Sequence, residues 1–204
     1  MKPERIFFMT SIMTSSAKHH KEELEKYIQK RKEAAIIRHF KLKQRTFIMT
    51  TRFNTKTRGE NQRFRESTWA NGCLYSAAVE VSYNIPPQSK MFVLEMDNDS
   101  NNIFAVGMCA NRAFINKYSV YSDNNYNRYN YIGKHRIKRT DMNDIEEAVF
   151  KALDQLCFYG RSHIKRGHGL QLFPIKFVVN CLPVIDLTSF IEQMFIKRFP
   201  PTMK

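Results

Sequence analysis

Lys90-Met91-Phe92-Val93-Leu94-Glu95-Met96 is followed by Asp97-Asn98-Asp99-Ser100-Asn101-Asn102 and then by Ile103-Phe104-Ala105-Val106-Gly107-Met108-Cys109. The first and third runs are nearly continuous in apolar and β-branched residues, and each is too short for a packed helix. Such runs read as strands buried on both faces. The six residues between them are Asp, Asn and Ser, whose side chains hydrogen-bond their own backbone in turns. The stretch is therefore an antiparallel hairpin at the centre of a sheet.

Working outward, Thr46-Phe47-Ile48-Met49-Thr50-Thr51-Arg52-Phe53 is a further strand by its β-branched and aromatic content, and the polar, basic residues 54–68 read as loop. Before it, Ser15 and Ser16 are N-cap candidates for a helix from Ala17 to about Phe40, which contains neither Gly nor Pro. Leu24, Tyr27, Ile28, Ala35, Ile36 and Ile37 leave its apolar stripe incomplete, so residues 1–42 are expected to form a basic helical arm on a domain spanning 43–204. After the hairpin, Tyr118–Tyr121 and Tyr129–Ile132 read as two more strands. Thr140 or Asp141 is expected to cap a helix carrying Ile145, Val149, Ala152, Leu153, Leu156 and Cys157 at helical spacing, ended by Gly160. Ile175–Val179 reads as a strand. Asp186 starts a last helix, stopped by Pro200-Pro201. The expected fold is α+β: a central, mostly antiparallel sheet flanked by helices, closing into a small barrel.

The 204 residues carry 33 Lys plus Arg against 19 Asp plus Glu, a formal charge of +14 that makes a polyanion the first partner to consider. That charge is polarised: residues 1–66 sum to +10, residues 67–127 to −2, residues 128–169 to +4 and the remainder to +2. Three basic segments follow. One holds Lys41, Lys43, Arg52, Arg58, Arg63 and Arg65; the second holds Arg136, Lys138 and Arg139; the third is Gly160-Arg161-Ser162-His163-Ile164-Lys165-Arg166-Gly167-His168-Gly169. Three of the chain's seven glycines lie in that last run, which marks a backbone that turns sharply or approaches a ligand closely.

Cys73, Cys109, Cys157 and Cys181 form no C-x-x-C pair and read as scattered reduced thiols. The nearest approach to a metal set is Cys157, His163, His168 and Cys181, and Glu95 or Asp97 with Lys90 is the nearest to a phosphodiesterase centre. Neither has ligand-like spacing, and the nucleophile-elbow, Walker and H-E-x-x-H motifs are missing, so binding is expected rather than catalysis, with no cofactor. Lys2 and Arg5 before Ile6–Met13 imitate a signal sequence, but Thr and Ser interrupt the run and a charged helix follows. No stretch reaches the length of a membrane span. The expected location is intracellular, in nucleus or cytoplasm.

From Thr46 to Asn111 the strand Phe47-Ile48-Met49-Thr50-Thr51, the single Trp69, the Asn71-x-x-Leu74 step, the strand Met91–Asp99 and the return Ile103–Met108 are similar to the YTH and EVE group of PUA-like folds. That resemblance implies a pocket that reads a modified base. Trp69 matches the group's first cage tryptophan and Thr50 or Thr51 its polar strand-end residue; with no second tryptophan, Tyr75, Tyr83 or another Tyr or Phe would supply the other wall. Leu153–Gly160, followed by His163–Gly169, together with the Tyr-rich Tyr126–Ile137, resembles uncharacterised proteins of large DNA viruses.

The expectation is a viral nucleic-acid-binding domain, with RNA ahead of DNA. Arg136, Lys138, Arg139, Arg161, Lys165 and Arg166 would meet phosphates, supported by Lys41, Lys43, Arg52, Arg58, Arg63 and Arg65. A base would sit among Thr50, Thr51, Trp69, Asn71, Tyr75 and Tyr83. The alternatives are a virus–host interaction factor whose basic loop meets an acidic host protein, such as a regulator of cell death or host defence, and a metal-dependent nuclease.

Overall fold

The computed structural model describes residue 19 and residues 21–39, 44–68 and 72–200. Ser15, Ser16, the segment from Lys2 to Met13, Lys41, Lys43, Trp69 and Asn71 lie outside the described residues. The chain falls into two units, residues 1–44 and 45–204. In the first, residues 21–39 form helix α1, none of whose residues is buried.

The second unit is α+β. Strands β1 (Thr46–Phe53), β3 (Lys90–Asp97), β4 (Asn102–Ala110), β7 (His135–Lys138) and β8 (Gln171–Leu172) make a mixed sheet in the order β7-β4-β3-β1-β8. A second sheet, ordered β2-β6-β5, consists of β2 (Cys73–Ala77), β5 (Phe114–Ile115) and β6 (Tyr129–Gly133). Five helices complete the described chain: α1, α2 (Thr55–Ser67), α3 (Asp144–Phe158), α4 (Ile175–Cys181) and α5 (Leu187–Arg198). No helix among the described residues is long and apolar enough to cross a membrane.

The β3–β4 hairpin forms as its sequence requires, in antiparallel register with a bulge at Glu95/Met96, and β3 is buried from Met91 to Asp97. β1 pairs with β3 in parallel, the one departure from an antiparallel sheet. Alternation then sorts the side chains. Phe47, Met49, Phe53, Met91, Val93 and Cys109 face the second sheet and join Leu74, Tyr75 and Tyr131 in one core cluster. Phe92 faces the other way and stacks on Phe195 of α5 at 5.2 Å. The two sheets are separate ladders among the described residues, with no closed ring, and the chain passes from one to the other at Gly133-Lys134.

Four expectations need correction. Residues 54–68 are not loop: α2 forms because Asn54 accepts from the Thr57 N–H while the Thr57 hydroxyl accepts from the Asn54 N–H, a capping box that satisfies orphan donors. Tyr118–Tyr121 is not a strand, since the N–H groups of Val120 and Tyr121 donate to Asn127 Oδ1, both at 2.9 Å. Asn143, not Thr140 or Asp141, caps α3, with Glu146 closing the box; this turns Ile145 out to solvent and buries Glu146. Ile175–Val179 belongs to a helix, α4, which Pro174 opens. Asp186 does cap α5, through the N–H groups of Thr188 and Ser189.

All four cysteines are free. Burial pushes the Cys73 and Cys157 thiols up to about 12, so neither is a thiolate near neutrality.

Candidate nucleic-acid interface

The glycine-punctuated run becomes a loop held by its backbone. Gly160, Gly167 and Gly169 adopt φ of 78°, 121° and 67°, the left-handed region where a side chain is strained. The Ile164 N–H donates to the Cys157 carbonyl at the end of α3 (2.8 Å), Arg52 donates twice to the Ile164 carbonyl (2.7 and 2.9 Å), and Asn98 Nδ2 donates to the Lys165 carbonyl (3.2 Å). The fold thus holds the loop's carbonyls and leaves its cations outside. Among the described residues Arg161, Lys165 and Arg166 make no ion pair, and Arg161 and Arg166 are exposed.

Beside this loop lies a cavity of about 360 Å³, lined by the end of β1 (Thr51 to Phe53), Asn54 and the first turns of α2 (Lys56, Thr57, Glu60), Ser76, Asn98, Tyr121 to Asp123, Tyr126 and Gly167-His168-Gly169. That volume is at the low end of the roughly 300–1,000 Å³ typical of small-molecule sites. Its polar groups are incompletely used. Asn98 Oδ1 and Arg52 Nη1, both of lining residues, are buried without a hydrogen-bond partner. Each such orphan costs about 1–3 kcal/mol if it stays unsatisfied. Burial also pulls the Arg52 guanidinium below its ordinary range, the Cys157 side chain acting weakly the other way. The aromatic wall is Tyr126, half-buried and edge-on to His168 at 6.4 Å between ring centroids. Tyr121 is held deeper, its hydroxyl accepting from Asn61 at 3.3 Å.

No family model, curated protein or solved structure matches the chain.

The structure brings some of the anticipated residues together here and takes others away. Thr51 lines the cavity. Thr50 turns to the opposite face of β1, where its hydroxyl donates to the Gln171 carbonyl. Tyr75 is packed between the sheets with its hydroxyl on Glu95 (3.0 Å), so it is not a cage wall. Tyr83 is 93% exposed on the rim of a separate, larger cavity of about 820 Å³, floored by Met49, Val81, Ile85 and Leu170.

Among the expected phosphate contacts, Arg136 is withdrawn completely. Its guanidinium forms a bidentate pair with Glu95 (2.8 and 2.7 Å), and both side chains are more than nine-tenths buried. Burial works against that charge, and the Glu95 carboxylate more than offsets it, holding Arg136 above the ordinary arginine range. Arg139 is likewise engaged, by Glu147, Asp154 and the Ile103 carbonyl. Arg58 pairs with Asp97 at 2.9 Å and lies over the Phe104 ring, while Arg65 donates to Asn61 Oδ1 at 2.9 Å. Arg52 serves the loop. Arg63 is exposed and repeats the position of Lys56 two helical turns along α2. Lys138 is exposed too, but β7 stands three strands from β1, about 14 Å at roughly 4.8 Å per strand.

The alternative catalytic groupings also dissolve. Glu95 is engaged by Arg136 and Tyr75, Asp97 by Arg58 and the N–H groups of Asp99 and Ser100, and Lys90 by Glu192. No group of three His, Cys, Asp or Glu among the described residues could hold a metal ion. Sequence reading missed Asn54, Lys56, Tyr121, Tyr126 and His168 as cavity residues. The Tyr-rich run and the glycine loop were both visible, but nothing in the sequence says that residues 121–126 and 167–169 meet.

Proposed function

We propose that this chain is a nucleic-acid-binding domain, viral in origin and PUA-like at its core, that takes one unstacked base into the cavity beside the glycine loop. The observation that carries the proposal is the juxtaposition of buried polar atoms lacking partners, a half-buried tyrosine and a loop whose cations are free of ion pairs. Each part has a role. Arg161, Lys165, Arg166 and Lys56 meet backbone phosphates, which position a strand without reading it. Tyr126 offers a stacking surface, and the polar residues Thr51, Asn54 and Thr57 line the same cavity. A base already splayed out of its stack satisfies this geometry, which favours single-stranded RNA or DNA over duplex.

The test is fluorescence anisotropy with labelled single-stranded RNA and DNA at two salt concentrations. Arg161→Ala/Lys165→Ala/Arg166→Ala is expected to weaken binding to all sequences. It should also reduce the slope of log K against log salt by about 0.7 for each phosphate left without its cation. Tyr126→Ala is expected to cost about 1–3 kcal/mol while leaving that slope unchanged. Wild-type binding that ignores both salt and Tyr126 overturns the proposal.

A further inference from the structure

The cavity beside the glycine loop has a neighbour across one side chain. His168 lines it and also lines the larger cavity of about 820 Å³, whose floor is Met49, Val81, Ile85 and Leu170. The partition is thin because of glycine. Gly167 and Gly169 flank His168 at φ of 121° and 67°, and a Cβ on Gly167 would fall 2.5 Å from the side-chain amide of Gln171, which lines the larger cavity. His168 is thus a single exposed side chain between two hollows, its ring at 86° to that of Tyr126.

The two hollows also share a strand. Met49 lines the larger and Thr51 the smaller, and alternation puts both on one face of β1. At about 3.3 Å per residue they lie about 6.6 Å apart. Stacked nucleotides repeat at about 3.4 Å along a strand. Two successive bases can therefore occupy both hollows only when they are parted, and His168 stands between them. The mouth of the larger cavity carries Tyr83, an aromatic side chain left in water beside an apolar floor, which suits the face of a base. Of the residues lining this cavity only Glu80 is acidic, and it is exposed. Its charge turns phosphates away and leaves them the side of the glycine loop, where Lys165 and Arg166 precede Gly167.

We propose that the larger cavity is a second base site, for the nucleotide adjoining the one held beside Tyr126, and that His168 is the partition that keeps the two bases unstacked. The proposal rests on the reading of the smaller cavity as a base site and extends that site from one nucleotide to two. Tyr83 gives the second base its stacking surface as Tyr126 does the first. The ligand is then a single strand with two neighbouring bases splayed apart, an arrangement that a paired and stacked duplex does not offer. With an apolar floor and a tyrosine at its mouth, the second site accepts any base that presents a π face.

Anisotropy of the full chain with labelled single DNA strands of about eight nucleotides tests this, a length within the range of single-strand sites. The strands share the same phosphates and carry no base, one base or two adjacent bases, all other positions being abasic. The wild-type chain is expected to bind the one-base strand about tenfold more tightly than the bare backbone, and the two-base strand about tenfold more tightly again. The same two bases at opposite ends of the strand should bind like one. Tyr83→Ala changes an exposed side chain outside the core, and it should remove the second step while keeping the first. His168→Ala should shrink the second step as well, since nothing then parts the two bases. Adjacent bases that bind no better than one or no better than separated ones, or a second step that survives Tyr83→Ala or His168→Ala, overturns the proposal while the first base site stands. A one-base strand that binds no better than the bare backbone overturns the reading of the smaller cavity, and the second site with it, so the two failures are told apart.

Discussion

Glu95 and Arg136 show what a basic residue in a charged segment can be for. Both sit on the face of the large sheet that meets the small one, joined by two hydrogen bonds and completed by the Tyr75 hydroxyl. Removing water from two charges is costly, and the geometry offsets that only while both partners remain. Arg136→Met is therefore expected to destabilise by about 3–5 kcal/mol, because it leaves the Glu95 carboxylate buried and unpaired. The double substitution Glu95→Gln/Arg136→Met should cost clearly less than the single one, which urea unfolding of the three proteins measures directly. Tyr75→Phe should cost about 1 kcal/mol. At constant salt, none of these changes should alter nucleic-acid affinity of the folded fraction, whereas a phosphate role for Arg136 would lower it. Reading Arg136 as a surface cation from its neighbours Lys134 and Lys138 fails because Arg136 lies across from Gly107 of β4, where the small sheet packs and the Glu95 carboxylate engages it, whereas Lys138, on the same face of β7, ends the strand and stays exposed.

At the scale of elements, the contact between the two sheets depends on glycine at two positions. A Cβ on Gly107 of β4 would overlap the Tyr75 hydroxyl and lie 2.7 Å from Cys73 Cβ; one on Gly133 would overlap the Met108 carbonyl. Gly107→Ala is thus expected to force β2 away from β4 and cost about 1–3 kcal/mol, the range for overpacking a filled core. Thermal unfolding detects that destabilisation, and a weaker near-ultraviolet circular dichroism signal from the tyrosines of β2 and β6 would report the displaced sheet. The β3–β4 hairpin was legible because two buried strands need two apolar runs and the turn between them needs Asp and Asn. Helix α2 was not, because Phe64 is the one large apolar residue among its 13, and its start is fixed by the Asn54 and Thr57 side chains. Residues 175–181 mislead for the opposite reason: Ile, Phe and two valines favour a strand, but the segment follows Pro174 and folds as two short turns. The candidate cavity was legible only in its parts, since β1, α2, the Tyr-rich run and the glycine loop converge through contacts far apart in sequence.

For the molecule as a whole, ion pairs that tie distant segments make stability depend on acid. The Arg198 guanidinium at the end of α5 donates to both oxygens of Glu146 in the first turn of α3 (2.8 and 2.6 Å). This pairing, aided by the Asn143 N–H against the effect of burial, holds the Glu146 carboxyl below the ordinary glutamate range. Hydrogen bonds from Arg139 do the same for Glu147. For Asp97, burial works against ionisation, but the N–H groups of Asp99 and Ser100 with Arg58 outweigh it and lower the value. A carboxyl that is more acidic folded than unfolded binds fewer protons in the native state, so its stabilisation is full above the unfolded value and is lost as pH falls toward the folded one. Asp154, raised by burial, opposes this trend, since protonating it relieves a cost. Asp99, lowered by its hydrogen bonds from Thr55, makes four lowered carboxyls against one raised one among the described residues, so acid is destabilising on balance. Stability should therefore hold from neutrality down to about pH 5 and decline through about pH 4.3, where unfolded glutamates are half protonated. Arg198→Met should lower stability at neutral pH and flatten that decline, so that its curve and the wild-type curve converge in acid. Urea midpoints at several pH values follow both proteins; parallel curves would show that the Glu146 pair contributes nothing to the acid response.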